Sequence, residues 1–430
     1  MTCPVAPERW PRVEVRELSI DRGLVGGPFG SSLGRKDYRP AGVPVIRGTN
    51  LADGSSFSAE NFVYVSEAKA DELRRNLAIP GDLVFTQRGT LGQVGIVPEG
   101  PFARYVISQS QMRLRCDTSK STPRFLYSVF RSPLMVEQIL SRAITTGVPH
   151  INLRILGDLE LLLPPLAEQR GIAVTLGALD DKIDSNRRKI SVLHALAASV
   201  CQSILDSPTE RWSEAWPDGR LDDVLAILEV GRRPAGGIKP EPHGVPSIGA
   251  ESIVQAGSFD FSKTKRVSEA FFAGMRRGHL EHLDVLLYKD GGTPGNFIPH
   301  VSAVGHGFPF EAAAINEHVY RLRITPPYSQ SFLYFWLSMP RLLAEMRRRG
   351  TGAAIPGLNS SAVRDLPVLQ PPPQLLSKLQ DVLDPLLDLI LRSAKESRAC
   401  AQLRDALLPE LLSGRLRVPE ASEAVDDVLA

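Results

Sequence analysis

The chain repeats itself, and the repeat limits what it can fold into more than any other feature. Gly42-Val43-Pro44-Val45-Ile46 returns as Gly244-Val245-Pro246-Ser247-Ile248, and Asp82-Leu83-Val84 followed by Gly89 returns as Asp284-Val285-Leu286 followed by Gly291. The offset is 202 in both cases, from Pro44 to Pro246 and from Asp82 to Asp284. Arg113-Leu114-Arg115 then returns as Arg321-Leu322-Arg323 at an offset of 208, and Phe125-Leu126-Tyr127 as Phe332-Leu333-Tyr334 at 207. Gly147, Pro149 and Asn152 are echoed by Gly352, Pro356 and Asn359. One collinear order with a small drift is what short loop insertions produce. The chain therefore reads as two copies of one unit of about 200 residues, within the common range for a domain.

Each copy has a mixed part followed by a helical part. In the first copy the β-like runs Val43 to Ile46, Asp82 to Phe85, Val94 to Val97 and Met112 to Leu114 are broken by Gly and Pro, and helical stretches run from Ala68 to Asn76 and Arg124 to Ser141. This predicts an α+β fold. After Pro164-Pro165, apolar residues fall at Ile172, Leu176, Leu179, Ile183, Ile190, Leu193, Ala197, Val200 and Ile204, with polar Asn186 filling the one gap. Steps of four and three make this a heptad seam. The same register recurs at Leu379, Leu383, Leu386, Ile390, Ser393, Ser397, Cys400, Arg404, Leu407 and Leu411, so that Asn186 and Ser393 place a polar residue at one equivalent seam level.

A heptad stripe alone allows a helix to pack on its own domain; two matched stripes in a duplicated chain more naturally pack on each other, antiparallel. The run from Ile172 to Ile204 would span about 50 Å. Pro385 should kink the second helix or restart it with Asp384 as its cap. The reading is thus an α+β chain of two duplicated α/β domains separated by two long antiparallel coiled-coil helices with pseudo-two-fold symmetry. Its boundaries are 1–163 and 208–370 for the domains, 164–207 and 371–416 for the helices, and 417–430 for a tail.

Composition narrows the class without naming a function. No run approaches the roughly 18 consecutive apolar residues of a membrane span, and the first ten residues carry no secretion signal. Cys3, Cys116, Cys201 and Cys400 lie far apart, which argues against a disulfide framework or zinc ribbon and for a reducing cytoplasm. Lys and Arg number 50 against 48 Asp and Glu, a net charge of +2, which neither demands nor excludes nucleic acid.

The helix entry Leu162-Leu163-Pro164-Pro165-Leu166-Ala167-Glu168-Gln169-Arg170, leading into Leu179-Asp180-Asp181-Lys182-Ile183, resembles the start of the central conserved helix of type I restriction-modification specificity subunits. Phe29-Gly30-Ser31-Ser32-Leu33-Gly34 with Gly42 through Asn50 is similar to the opening of their target-recognition domains. Gly81-Asp82-Leu83-Val84 with Arg88-Gly89-Thr90-Leu91-Gly92 matches a later loop, and Leu407-Leu408-Pro409-Glu410-Leu411-Leu412-Ser413-Gly414 resembles the close of the second conserved helix.

The resemblance implies a non-catalytic subunit that reads the two halves of a bipartite target in double-stranded DNA, with the helices fixing the unread spacer. It implies two methyltransferase subunits as partners, which bind S-adenosylmethionine and modify adenine. Restriction subunits with ATP-driven motors, using ATP and Mg, are an optional further partner. The chain itself is expected to hold no cofactor or metal and to contact no membrane. A coiled-coil adaptor with no DNA contact, or an enzyme acting as methyltransferase or nuclease, are the alternatives.

Base edges are read by Arg, Lys, Asn and Gln, and phosphates by cations, hydroxyls and backbone amides. The candidate DNA contacts are Ser31, Ser32, Arg35, Lys36, Arg47, Asn50, Gln87, Arg88 and Thr90 in the first copy, and Arg232, Arg233, Lys239, Lys289, Thr293 and Asn296 in the second. Any one of them alone reads equally well as an ordinary surface residue. The copies diverge most in these loops, which implies different half-sites and an asymmetric target.

Other signals carry less. Thr325-Pro326-Pro327-Tyr328 resembles an amino-methyltransferase motif but has Thr in its first place and no cofactor loop at a suitable distance. His279 and His282 lack a third ligand. His300 and His306 lie in a Gly-rich loop where they could meet phosphate. Asp180, Asp181 and Asp184, beside Lys182, Arg187 and Arg188, read as a charged helix face.

Overall fold

A computed structural model describes residues 10–51, 56–205, 218–238, 243–352 and 355–429. It forms two compact units, one made of residues 1–184 and 399–430, the other of residues 185–398.

The first unit is built around an antiparallel four-stranded sheet in the order Ser19–Gly26, Gln111–Cys116, Leu83–Thr86, Val94–Ile96. A second sheet runs Val63–Val65, Val43–Ile46, Tyr105–Ile107, Leu77–Ala78, its middle pair parallel. The second unit repeats the plan. Leu225–Val230, Val319–Ile324, Val285–Tyr288 and Val301–Ala303 make its four-stranded sheet. Lys265–Val267, Val245–Ile248 and Ala314–Ile315 make the smaller one, again with a parallel pair. The registers match as well: Val84 lies opposite Arg113, and Leu286 opposite Arg321.

The repeated Asp and Arg residues serve one structural purpose. Asp82, buried at the start of its strand, accepts on its two carboxylate oxygens from Arg115 Nε and Nη2, at 2.7 Å each, and from the Ile79 amide at 2.9 Å. Asp284, fully buried, accepts from Arg321 Nε, Arg323 Nε and the Glu281 amide, all at 2.6 Å. A carboxylate removed from water needs such donors, and the two arginines of each Arg-Leu-Arg strand face its direction by chain alternation with one or both side chains.

Polar caps set the helices. The predicted helix from Arg124 to Ser141 is two helices, Pro123–Arg131 and Pro133–Ser141. Ser132 closes the first and caps the second, with Pro133 at the position where a missing N–H costs nothing. The stretch from Ala68 to Asn76 likewise resolves into a helix, Glu67–Glu72, and a 3₁₀ turn, Arg74–Asn76.

The long helices are Leu166–Leu205 and Pro373–Ser413. The second continues through Pro385 as one element, so it does not restart there; the Asp384 carboxylate accepts from Ser329 Oγ at 2.7 Å instead of capping. In the first unit Ile172, Leu176, Leu179 and Ile183 share one apolar cluster with Cys400, Leu407, Leu408 and Leu411. In the second unit Ile190, Leu193, Ala197 and Cys201 share another with Leu379, Leu383, Leu386 and Ile390. In each unit the early half of one helix meets the late half of the other, so the pair is antiparallel. The same clusters take in Phe125, Phe130 and Leu156 of the first unit and Phe332, Leu333 and Trp336 of the second, so each helix also packs on its own domain.

Asn186 and Ser393 are both buried, and Asn186 Nδ2 and Ser393 Oγ have no hydrogen-bond partner. The segment after 416 is a helix, Val418–Leu429, whose Ala421 and Val425 join the first unit's core.

Candidate nucleic-acid interface

The candidate loops grow from the ends of the four-stranded sheets. In the first unit the strand Ser19–Gly26 gives way to Gly27, whose amide donates to Gln111 O at 2.8 Å. A Cβ on Gly27 would collide with the Ser108 carbonyl, so only glycine lets the two backbones approach. The turn that follows holds Ser31 and Ser32, both exposed, and then Arg35 and Lys36, also exposed. Gln109 Nε2 ties this loop down by donating to Gly30 O and, at 2.7 Å, to Leu33 O.

The second unit has the same device. A Cβ on Gly231 would collide with the Ile315 carbonyl, and exposed Arg232 and Arg233 follow it. Lys239 lies outside the described residues.

The next strand of each sheet delivers a second loop beside a third segment. Gln87 N donates to Ser110 O at 2.7 Å, and Ile151 N donates to Gln87 O at 3.0 Å. Arg88 bridges to His150, and Arg88 and Thr90 are exposed while Gln87 is half-buried. In the second unit Lys289 N donates to His318 O at 2.9 Å, and Leu358 N donates to Lys289 O at 2.8 Å. Thr293 and Asn296 pair across a tight hairpin through Pro294-Gly295, and both are exposed.

The structure thus brings Gln87 and Arg88 onto the segment 149–151, and Lys289 onto 356–358, which explains why Pro149 and Asn152 recur as Pro356 and Asn359. Asn152 and Asn359 cap the short helices that follow, accepting from the amides of Ile155 and Ala362, each at 2.8 Å.

Two candidates have other work. Asn50 is fully buried: its Oδ1 accepts from Arg47 N at 2.9 Å and its Nδ2 donates to Ser58 O and Glu60 O, each at 3.0 Å. It shapes a loop and is corrected from a DNA contact to a structural residue. Arg47 is half-buried and donates from Nη2 to Asn61 O at 2.6 Å, on the same loop, while its buried Nε has no partner.

The charges of the two units differ. Among the described residues Arg35, Lys36 and Arg88 have no carboxylate partner, whereas Arg233 pairs with Glu317 at 2.9 Å and Lys289 with Asp290 at 2.9 Å. His318 joins those two acids, with Nδ1 at 3.1 Å from Asp290 Oδ2 and Nε2 at 3.5 Å from Glu317 Oε1. Lys289 and Asp290 are neighbours in the chain, whereas Arg233 and Glu317 are brought together only by the fold.

The remaining signals are accounted for. Thr325 spends both its amide and its hydroxyl on Val224 O, at 2.8 and 2.9 Å, and is not free to act on a substrate. His279 stacks on Phe272 and contacts the Phe272 carbonyl at 3.1 Å. Among the described residues no group of three or more His, Cys, Asp or Glu could hold a metal. Asp180 is a half-buried ion-pair centre between Arg131 at 3.1 Å and Arg404 at 2.8 Å, and Asp181 pairs with Arg124 at 3.2 Å. Burial pushes the thiols of Cys116 and Cys201 up to about 11, which leaves both inert.

Residues 35–195 match the family model described as the type I restriction modification DNA specificity domain. The MjaIX type I restriction enzyme specificity subunit of Methanocaldococcus jannaschii is 22% identical over 441 residues, covering 96% of this chain and 95% of its own. Along nearly its whole length the chain is similar to type I restriction enzyme specificity subunits. The EcoBI specificity subunit of Escherichia coli is 22% identical over a shorter stretch, 55% of this chain and 52% of its own. The crystal structure of an S subunit of a type I restriction-modification system from M. genitalium shares the fold, with a TM-score of 0.56 at 17% identity over 94% of this chain and 96% of that one.

The proline-led motif at the helix entry has a local explanation. Gln169, fully buried, accepts from Ser121 Oγ at 2.9 Å and Thr122 N at 3.1 Å, and donates to Lys120 O and Pro164 O at 3.0 and 2.9 Å. One amide thereby satisfies the helix start and the preceding domain together. No helix among the described residues is long and apolar enough to cross a membrane.

Proposed function

We propose that this chain is the sequence-reading, non-catalytic subunit of a type I restriction-modification complex, and that each unit reads one half of an asymmetric bipartite target in double-stranded DNA. The observation that carries the reading is the repetition, in two units, of the same sheet with the same Gly-anchored loop and the same strand-end loop. Each unit presents a different set of side chains on them. Arg35, Lys36, Arg88 and Thr90, with Ser31 and Ser32, contact DNA from the first unit; Arg232, Thr293 and Asn296 do so from the second, with Arg233 and Lys289 contributing through their charge network.

The two long helices set the number of unread base pairs between the half-sites. In this reading residues 1–163 and 208–370 are the recognition domains, and 164–207 and 371–416 the spacer. Two methyltransferase subunits dock on the chain and carry S-adenosylmethionine; a restriction subunit, where present, carries ATP and Mg. The complex works in the cytoplasm. Lys and Arg number 50 against 48 Asp and Glu, so the isolated subunit binds DNA weakly and gains affinity with its partners.

The deciding experiment is the methylome of host DNA with and without the gene. Loss of a single bipartite adenine-methylation motif is expected and gives both half-sites and the spacer. Intact methylation, together with no salt-dependent DNA binding by the assembled complex, would overturn the reading. For Arg88→Ala the assembled complex should bind more weakly and its log affinity should fall less steeply with log salt, by about 0.9 of a unit.

A further inference from the structure

The repeated Gly, Pro and Asn residues enclose a loop that neither the sheets nor the charged candidates explain. In the first unit Ile144 and His150 exchange backbone hydrogen bonds at 2.9 and 3.1 Å, closing a five-residue loop, 145–149. In the second unit Thr351 and Gly357 exchange them at 2.9 and 2.8 Å, with residues 353 and 354 between them outside the described residues. The anchors correspond as well. Gly89 N donates to Pro149 O and Gly291 N to Pro356 O, at 3.3 and 2.8 Å. Ile151 and Leu358, the residues after the closing pairs, are both 1% exposed. Each loop is thus riveted to the strand-end loop on one side and to the core on the other.

At the same place in both loops stands a β-branched apolar residue followed by proline: Val148 before Pro149 and Ile355 before Pro356. Val148 is 57% exposed and Ile355 69% exposed. A single exposed aliphatic needs no explanation. Here two copies that have diverged in their surface loops both hold one, on an anchored tip, at an offset of 207 from Val148 to Ile355. Proline restricts the preceding residue to extended backbone, and β-branching restricts its χ1, so each side chain is held out with little freedom left to lose on binding. Neither fills the core, so folding alone does not call for an apolar residue there. Exposed Arg88 next to the first loop adds the cation that brings a polyanion to it.

We infer that Val148 and Ile355 are apolar reading fingers, one per unit, each packing on the C5-methyl group of a thymine in its half-site. The major groove presents that methyl as its one apolar feature, and aliphatic side chains meet it. The inference rests on the proposed DNA-reading role and deepens it.

The test uses the complex assembled with its methyltransferase partner and the target found from the methylome. Binding is measured on DNA carrying every single base change in each half-site, for the wild type, Val148→Ala and Ile355→Ala. For Val148→Ala we expect relaxed discrimination at one A·T pair in a single half-site, with the other half-site untouched. Ile355→Ala should relax one A·T pair in the opposite half-site.

Replacing that thymine by uracil should weaken wild-type binding about fourfold and leave the matching variant unaffected. Fourfold corresponds to about 0.8 kcal/mol, the burial of one methyl-sized group. An unchanged specificity profile, an even loss at all positions, or relaxation at a pair without thymine would overturn the inference while leaving DNA reading intact. Failure of the wild-type complex to discriminate any base would instead remove the DNA-reading role itself. Because both side chains are exposed, thermal unfolding of the variants should match the wild type, and a large shift would also count against the assignment.

Discussion

Asp284→Asn is the substitution from which the frame of the second unit can be judged. The carboxylate is fully buried and takes three donors at 2.6 Å, two of them guanidinium Nε atoms. Asparagine keeps one acceptor oxygen and turns an N–H₂ toward an arginine N–H, so at least one charge-assisted bond is lost and a donor faces a donor. Arg321, whose side chain is 5% exposed, keeps Glu229 at 3.3 Å and Glu281 at 3.1 Å, and Arg323 keeps Glu281 at 2.9 Å. The remaining acids soften the loss without removing it.

Breaking a buried pair by changing one partner costs about 3–5 kcal/mol, and the residual partners place this case near 3. Urea unfolding followed by tryptophan fluorescence and circular dichroism measures it, with Trp336 in the second unit's core as the reporter. The double variant Asp284→Asn with Arg321→Met should recover at least 1 kcal/mol relative to the sum of the single changes, since removing the buried charge removes its penalty. A loss under about 1 kcal/mol for Asp284→Asn, or strict additivity, would refute the claim that the repeated Asp and Arg-Leu-Arg segments recur because they form this buried pair.

Three further outcomes follow from the same geometry. Asp180→Asn should lower the first unit's stability by about 2–3 kcal/mol, because Arg131 and Arg404 both converge on that carboxylate; denaturant titration would show otherwise if the midpoint held. Asn50→Ala should cost about 2 kcal/mol by leaving the Arg47 amide and two carbonyls unpaired, yet leave the recognised DNA sequence as it is, which binding to variant targets checks. His194 is held below its ordinary pKa, chiefly by burial and against the pull of the Ala256 carbonyl, 3.1 Å from its Nε2. The folded state therefore resists the proton that the unfolded chain accepts. Its contribution is complete above the unfolded value and is lost as pH falls below it, so between pH 7.5 and 5.5 the wild type should lose more Tm than His194→Gln does.

The duplication, the alternation of mixed and helical parts and the heptad seam were legible because each is written in local order: periodicity, spacing, and the Pro and Gly that interrupt them. The capped break at Ser132 was equally local but hidden inside an apolar run, where periodicity continues across a change of helix. The side chains at the interface were less legible. Asn50 has the residue type that reads adenine, and only the fold shows that its amide is consumed by Arg47, Ser58 and Glu60. Arg233 and Lys289 look as available as Arg35 and Lys36 in sequence. The pairing of Arg233 with Glu317 depends on which loops a sheet brings together, while that of Lys289 with Asp290 is between neighbours in the chain. The Val148 and Ile355 tips were marked in sequence by the Pro and Asn around them, but their exposure was not.

The first unit is discontinuous in the chain: it takes residues 1–184 from one end and 399–430 from the other. Its cluster draws on Cys400, Leu407, Leu408, Leu411, Ala421 and Val425 to cover Leu176, Leu179 and Ile183. On the ribosome that covering surface is made after the whole of the second unit, residues 185–398, has been synthesised. The core of the first unit consequently closes only after the second unit has been made, and until then a nascent chain holds an exposed apolar helix face.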